Sequence, residues 1–208
     1  MKNAILASSA LLAGIIVGAF SASAAAHQHE GDVIIGRTGS GQLRFEADLD
    51  EIHLLEPVAG LLQGWAGDEP GFEALAEDEP DEDFFRLGTG AQIWLEAVAL
   101  DPALRVHNPL NPLLMLSTPG DRLPLGDHEL HDHVIWHVDP LDPAFDPGRS
   151  IWQGTFKLVD TGPTGYSDSP LLTLRFAIPE PGTFALLVAG SLAVLRRPAT
   201  RGAGMRRR

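Results

Sequence analysis

Four histidines fall within ten residues, His128, His131, His133 and His137, interleaved with Asp127, Glu129 and Asp132. Imidazole and carboxylate both ligate zinc, and the chain has no cysteine to offer a thiolate instead. A lone histidine is ordinarily a surface residue or a satisfied core residue; four in so short a run are hard to assign to chance. Residues 131, 133 and 137 share parity, so a regular strand would turn all three side chains to one face. Same-face neighbours on a strand lie roughly 6.5–7 Å apart, which lets two imidazoles converge on one ion at about 2.0–2.1 Å per Zn–N bond. His137 is two further steps along and out of reach without a bend, with Ile135 and Trp136 as packing residues. His128 precedes the strand, where a loop can fold it back. His128, His131 and His133 are therefore the expected centre of a zinc site. His27, His29 or His53 can complete it from elsewhere, and Asp127 or Asp132 can orient an imidazole. His107 stands alone.

The histidines at 27 and 29 carry a second chemistry, because of what precedes them. Residues 1–26 read as a secretory signal peptide: Lys2, an apolar run from Ala4 to Phe20, then Ser21-Ala22-Ser23-Ala24-Ala25-Ala26. Cleavage after Ala24 leaves Ala25-Ala26-His27; cleavage after Ala26 leaves His27-Gln28-His29. Either cut puts a histidine third behind a free amine, a square-planar set that suits Cu(II) or Ni(II) at the mature N-terminus. The stronger alternative is that both histidines join the zinc site. A further cation candidate is the run at residues 68–83, with nine acids in sixteen positions. It lacks the Asp-x-Asp-x-Asp-Gly spacing of a calcium loop, so a solvated acidic loop held open by self-repulsion is the expectation. Within it, Glu69-Pro70-Gly71-Phe72 reads as a turn that buries Phe72 at the edge of the core.

The elements that must position these groups read as β. Val33–Arg37 is a β-branched run ended by the turn Gly39-Ser40-Gly41. Residues 42–47 and 171–178 alternate apolar and polar, and 133–138 and 150–159 are strand-like, each ending in a Pro/Gly/Asp turn signal. Residues 91–100 suit a strand or a short helix. Short strands between such turns predict an all-β antiparallel sandwich or jelly-roll-like single domain over residues 27–178. That stretch holds 27 acidic residues against 8 basic ones, a charge of −19. So acidic a surface attracts cations and excludes nucleic acid as a partner. There is no Gly-x-Ser-x-Gly elbow, no His-Glu-x-x-His helix and no phosphate-binding glycine loop, and no catalytic residue is assigned.

The C-terminal residues 179–208 hold Pro179-Glu180-Pro181, an uncharged stretch from 183 to 195, and an end rich in arginine. In this order they closely resemble the PEP-CTERM sorting signal of Gram-negative bacteria. The resemblance implies export through signal peptidase, transient inner-membrane anchoring by the C-terminal helix, and cleavage by an exosortase. Release to the cell surface or extracellular matrix then follows. The core segments His27-x-His29-Glu30-Gly31-Asp32, Glu69-Pro70-Gly71-Phe72 and His128-x-x-His131-x-His133 resemble PEP-CTERM proteins repressed by the zinc-uptake regulator, Zur. That resemblance implies surface zinc binding or scavenging when the metal is scarce. Two other classes stay open: a structural or adhesion component of the matrix, bound to exopolysaccharide or another polymer, and a zinc-dependent hydrolase with Glu129 or Asp132 as general base.

Overall fold

The computed structural model describes residues 31–179. The stretch read as a signal peptide, His27 and His29, and the stretch from Glu180 onward read as a sorting tail lie outside the described residues. Among the described residues, no helix is long and apolar enough to cross a membrane.

The fold is all-β, as expected. Its strands are β1 (Val33–Arg37), β2 (Leu43–Glu46), β3 (Ile52–Leu54), β4 (Glu56–Val58), β5 (Gly64–Gly67), β6 (Phe72–Ala74) and β7 (Ile93–Leu100). They continue with β8 (Leu104–His107), β9 (Met115–Leu116), β10 (Arg122–Gly126), β11 (His131–Asp132), β12 (Ile135–Val138), β13 (Ile151–Asp160) and β14 (Leu172–Ala177). They form three sheets, ordered β11-β6-β1-β2, β10-β7-β13-β14-β3 and β4-β5-β12-β8-β9. Two neighbour pairs, β1–β6 and β3–β14, run parallel, so the sheets are mixed and not wholly antiparallel. Neither pair is joined by a hairpin, and only a hairpin forces the antiparallel sense.

Alternation places the core. Leu172, Leu174 and Phe176 of β14 are buried while Thr173, Arg175 and Ala177 are only partly covered. In β7 the odd positions Ile93, Leu95 and Ala97 are buried between β10 and β13, which resolves residues 91–100 as strand. Trp136 of β12 is the point where the sheets meet. It stacks on Phe176 at 4.7 Å, meets Phe156 of β13 edge-on at 5.5 Å and touches Phe72 of β6 at 6.2 Å. Its indole N–H donates to the Pro70 carbonyl at 3.0 Å, so the core residue also pins the turn before β6.

Two sequence expectations are corrected. The strand expected over 133–138 is shorter, β12 at Ile135–Val138, which pairs with β5 and β8, and His131–Asp132 form a separate strand, β11, that pairs with β6 in another sheet. Val134 is buried at the crossing, so the chain changes sheets there and strand parity does not carry through to His137. Residues 68–83 are a solvated acidic loop only in part: 76–83 are exposed, while 70–75 are built into the sheet. The run contains β6, which pairs on both edges, and a 3-10 turn at Pro80–Glu82. Phe72 is fully buried in the core proper, and even Glu73 is only 5% exposed.

Candidate metal centre

Three chain segments meet across β1, β6 and β11. Val33 pairs with Phe72, and Phe72 with Asp132. One step along, the same register sets Asp32, Gly71 and His133 in a row, with Gly71 in the middle. Val33, Ile35 and Phe72 point into the core, so alternation puts Asp32, Gly71, Glu73, His131 and His133 on the opposite face. Gly71 is the residue that permits the convergence. A Cβ there would lie 2.6 Å from His133 Cε1 and 2.9 Å from Asp32 Oδ1. The space a side chain would fill is taken by the imidazole and the carboxylate leaning together.

The donor atoms are arranged as ligands. His131 Nε2 and His133 Nε2 are 3.3 Å apart, and His133 Nε2 is 4.0 Å from Asp32 Oδ2. One ligand atom from each of Asp32, His131 and His133 falls within 4.8 Å of the others. Two Zn–N bonds of about 2.0–2.1 Å at a tetrahedral angle span about 3.3–3.4 Å, so the imidazole pair already has the edge of a zinc tetrahedron. His133 Nδ1 lies 3.2 Å from the Asp68 carbonyl oxygen, which can only accept. That bond fixes the proton on Nδ1 and leaves the lone pair on Nε2, the outer support that metal-bound histidines ordinarily have.

Electrostatics favours a cation. The Asp32 side chain is fully buried; Gly71 N–H donates to Oδ1 at 2.9 Å, while Oδ2 has no hydrogen-bond partner among the described residues. An orphaned buried carboxylate oxygen is costly. Glu69 closes on the same group. Burial first, then a hydrogen bond that its protonated form can donate to Asp32 and the Asp32 negative charge, push the Glu69 carboxyl above its usual range. A metal ion at Asp32 would relieve both.

No family model, no curated protein and no solved structure matches this chain. The site must therefore stand on its own geometry.

The other expected residues are distributed as follows. His128 lines a cleft of about 570 Å³ with Glu73, Glu129 and His131, outside the three-donor group. Its Nδ1 is buried 3.7 Å from Asp127, too long for a hydrogen bond. His53 is not brought to the centre. It sits on β3, buried against Phe176 at 5.8 Å, with Glu51 4.0 Å from its Nδ1. Asp132 alternates to the core side of β11, where burial raises its carboxyl. Sequence reasoning did not select Asp32, Glu69 or Gly71 as site residues. No spacing to the histidines marks them, although all three lie in segments that carried the family resemblance. A second acidic group, Glu46, Glu79 and Glu82, is exposed on the surface.

Two expected outcomes arise here. Gly71→Ala should weaken zinc binding by about tenfold or more, because the methyl displaces His133, and should cost about 1–3 kcal/mol of stability. Titration calorimetry and urea unfolding check this; an unchanged zinc affinity would show that His133 does not ligate from its present position. The second outcome is acid sensitivity. Burial first of all lowers the imidazole pKa of His53, His107 and His137 below the ordinary 6.5. Below pH 6.5 the unfolded chain takes up protons at these sites that the folded chain refuses. Stability is then fully present above that pH and is lost as pH falls toward the depressed folded values. The urea midpoint should be flat from about pH 8 to 7 and drop toward about pH 5, less steeply in His107→Gln/His137→Gln. Equal slopes in both chains would refute the assignment to the His107–His137 pair.

Proposed function

We propose that this chain is an exported zinc-binding protein, held at the cell surface or in the extracellular matrix, that captures zinc when the metal is scarce. The observation that carries the reading is the 3.3 Å imidazole pair beside the buried Asp32 oxygen, which has no hydrogen-bond partner among the described residues. Zinc suits it better than calcium or magnesium, which take oxygen ligands. Asp32, His131 and His133 are the first three ligands. A fourth ligand is sought in His27 and His29, which precede Asp32 in the chain by five and three residues.

The surrounding acidity supports cation capture, since a charge of −19 over residues 27–178 raises the local concentration of metal ions. The export half rests on residues 1–26 and 179–208 as sequence. Under this reading the chain passes signal peptidase, is held briefly in the inner membrane, and is cut by an exosortase near Pro179-Glu180-Pro181. The sheets sharing Trp136 are the sandwich-like scaffold of that exported domain, and membership among the Zur-repressed PEP-CTERM proteins follows from the same residues. Zinc titration into the full chain and into His131→Ala/His133→Ala tests the metal half.

A further inference from the structure

His107 and His137 are thirty residues apart in sequence and belong to a different sheet from the centre above. On β8 and β12 the register pairs Ile135 with His107 and His137 with Arg105, so the two rings lie diagonally on one face. Both are buried, 5% and 4% exposed. His107 Nδ1 is 2.7 Å from the Pro112 carbonyl oxygen, and His137 Nε2 is 3.2 Å from that of Gln63. A carbonyl oxygen only accepts, so each of these nitrogens must carry the proton. A neutral imidazole has just one. The remaining nitrogens, His107 Nε2 and His137 Nδ1, both present lone pairs, and they face each other at 3.3 Å.

Two buried lone pairs aimed at one another leave two acceptors without a donor. A shared proton or a metal ion resolves the contact. A metal is favoured by the separation, which matches the span of two metal–imidazole bonds of about 2.0–2.1 Å at a tetrahedral angle.

We propose that His107 and His137 form a second metal site that takes Cu(I), with Met115 as its third donor. Met115 of β9 is the register partner of His107 and lines the same pocket, about 230 Å³, with both rings. Thioether and imidazole together select Cu(I) over zinc. A monovalent ion also costs less to bury than a divalent one beside Arg105, whose charge is paired with Asp142. Asp139 lines the pocket and supplies a compensating negative charge. Leu61 and Leu113, both exposed, form an apolar mouth.

The test uses the full chain carrying His131→Ala and His133→Ala, so that loss of the zinc centre cannot be mistaken for loss of this one. Under anaerobic, reducing conditions, Cu(I) is titrated against a chromophoric chelator. One tight equivalent is expected, and Met115→Leu, which keeps the volume, should weaken it about tenfold or more. Nitrogen-15 NMR of labelled histidines reads the site without a destabilising substitution. Cu(I) should move His107 Nε2 and His137 Nδ1 and leave their carbonyl-bonded partner nitrogens protonated. Resonances that stay in place, or a shared proton that persists with Cu(I) present, would overturn the site. Movement by Zn(II) with no effect of Met115→Leu would overturn the choice of ion.

Discussion

Zinc affinity is expected to fall at least about a hundredfold, some 2.7 kcal/mol, when His131 and His133 are both replaced by alanine. The pair supplies two of the three donors that converge among the described residues, and both of the nitrogens. What remains among the described residues is Asp32 with Glu69 nearby, oxygen donors that zinc favours less than imidazole. His53→Gln serves as the control, because His53 lies against Phe176 and away from the centre. It should leave affinity unchanged. Equal affinity in wild type and the double variant would reduce the histidine run to a decorated surface and return the protein to the matrix-component class.

Asp32→Asn should act in opposite directions on the two forms of the protein. Without metal, the buried Oδ2 lacks a donor and Glu69 crowds the same carboxylate. Asparagine keeps the oxygen that accepts from Gly71 N–H and replaces the orphaned acceptor with an N–H₂ that can donate to Glu69. The zinc-free variant should therefore be more stable by about 1–3 kcal/mol, a rise of about 2–6 °C in melting temperature. With saturating zinc the order should reverse, because the neutral amide is a poor substitute for a carboxylate ligand. A zinc-free variant less stable than wild type would mean that the Asp32 charge is structural, held for the fold and not for an ion.

Much of this was legible in residue order, and the failures have physical causes. Val33–Arg37 and the alternation of β14 were plain because hydrophobic period and burial coincide there. The short edge strands β4 and β10 contain Pro57 and Pro124, which argue against strand in sequence. Both are tolerated because these strands lie at sheet edges, where a missing N–H costs no ladder bond. The histidine pair was found for a partly wrong reason. Residues 131 and 133 do share a face, but only His131 lies in the two-residue strand β11, His133 follows its end, and His137 belongs to another sheet altogether. Asp32 and Gly71 were out of sight because their role depends on β1 and β6 pairing in parallel across a separation of thirty-nine residues. No local pattern encodes that register. The His107–His137 contact is similarly non-local.

The most direct test is anomalous diffraction at the zinc absorption edge from crystals of the zinc-loaded protein. The account predicts a strong peak bonded to His131 Nε2, His133 Nε2 and Asp32 Oδ2, at about 2.0–2.2 Å from each. A peak at other residues with none here, or no bound zinc at all, would contradict it.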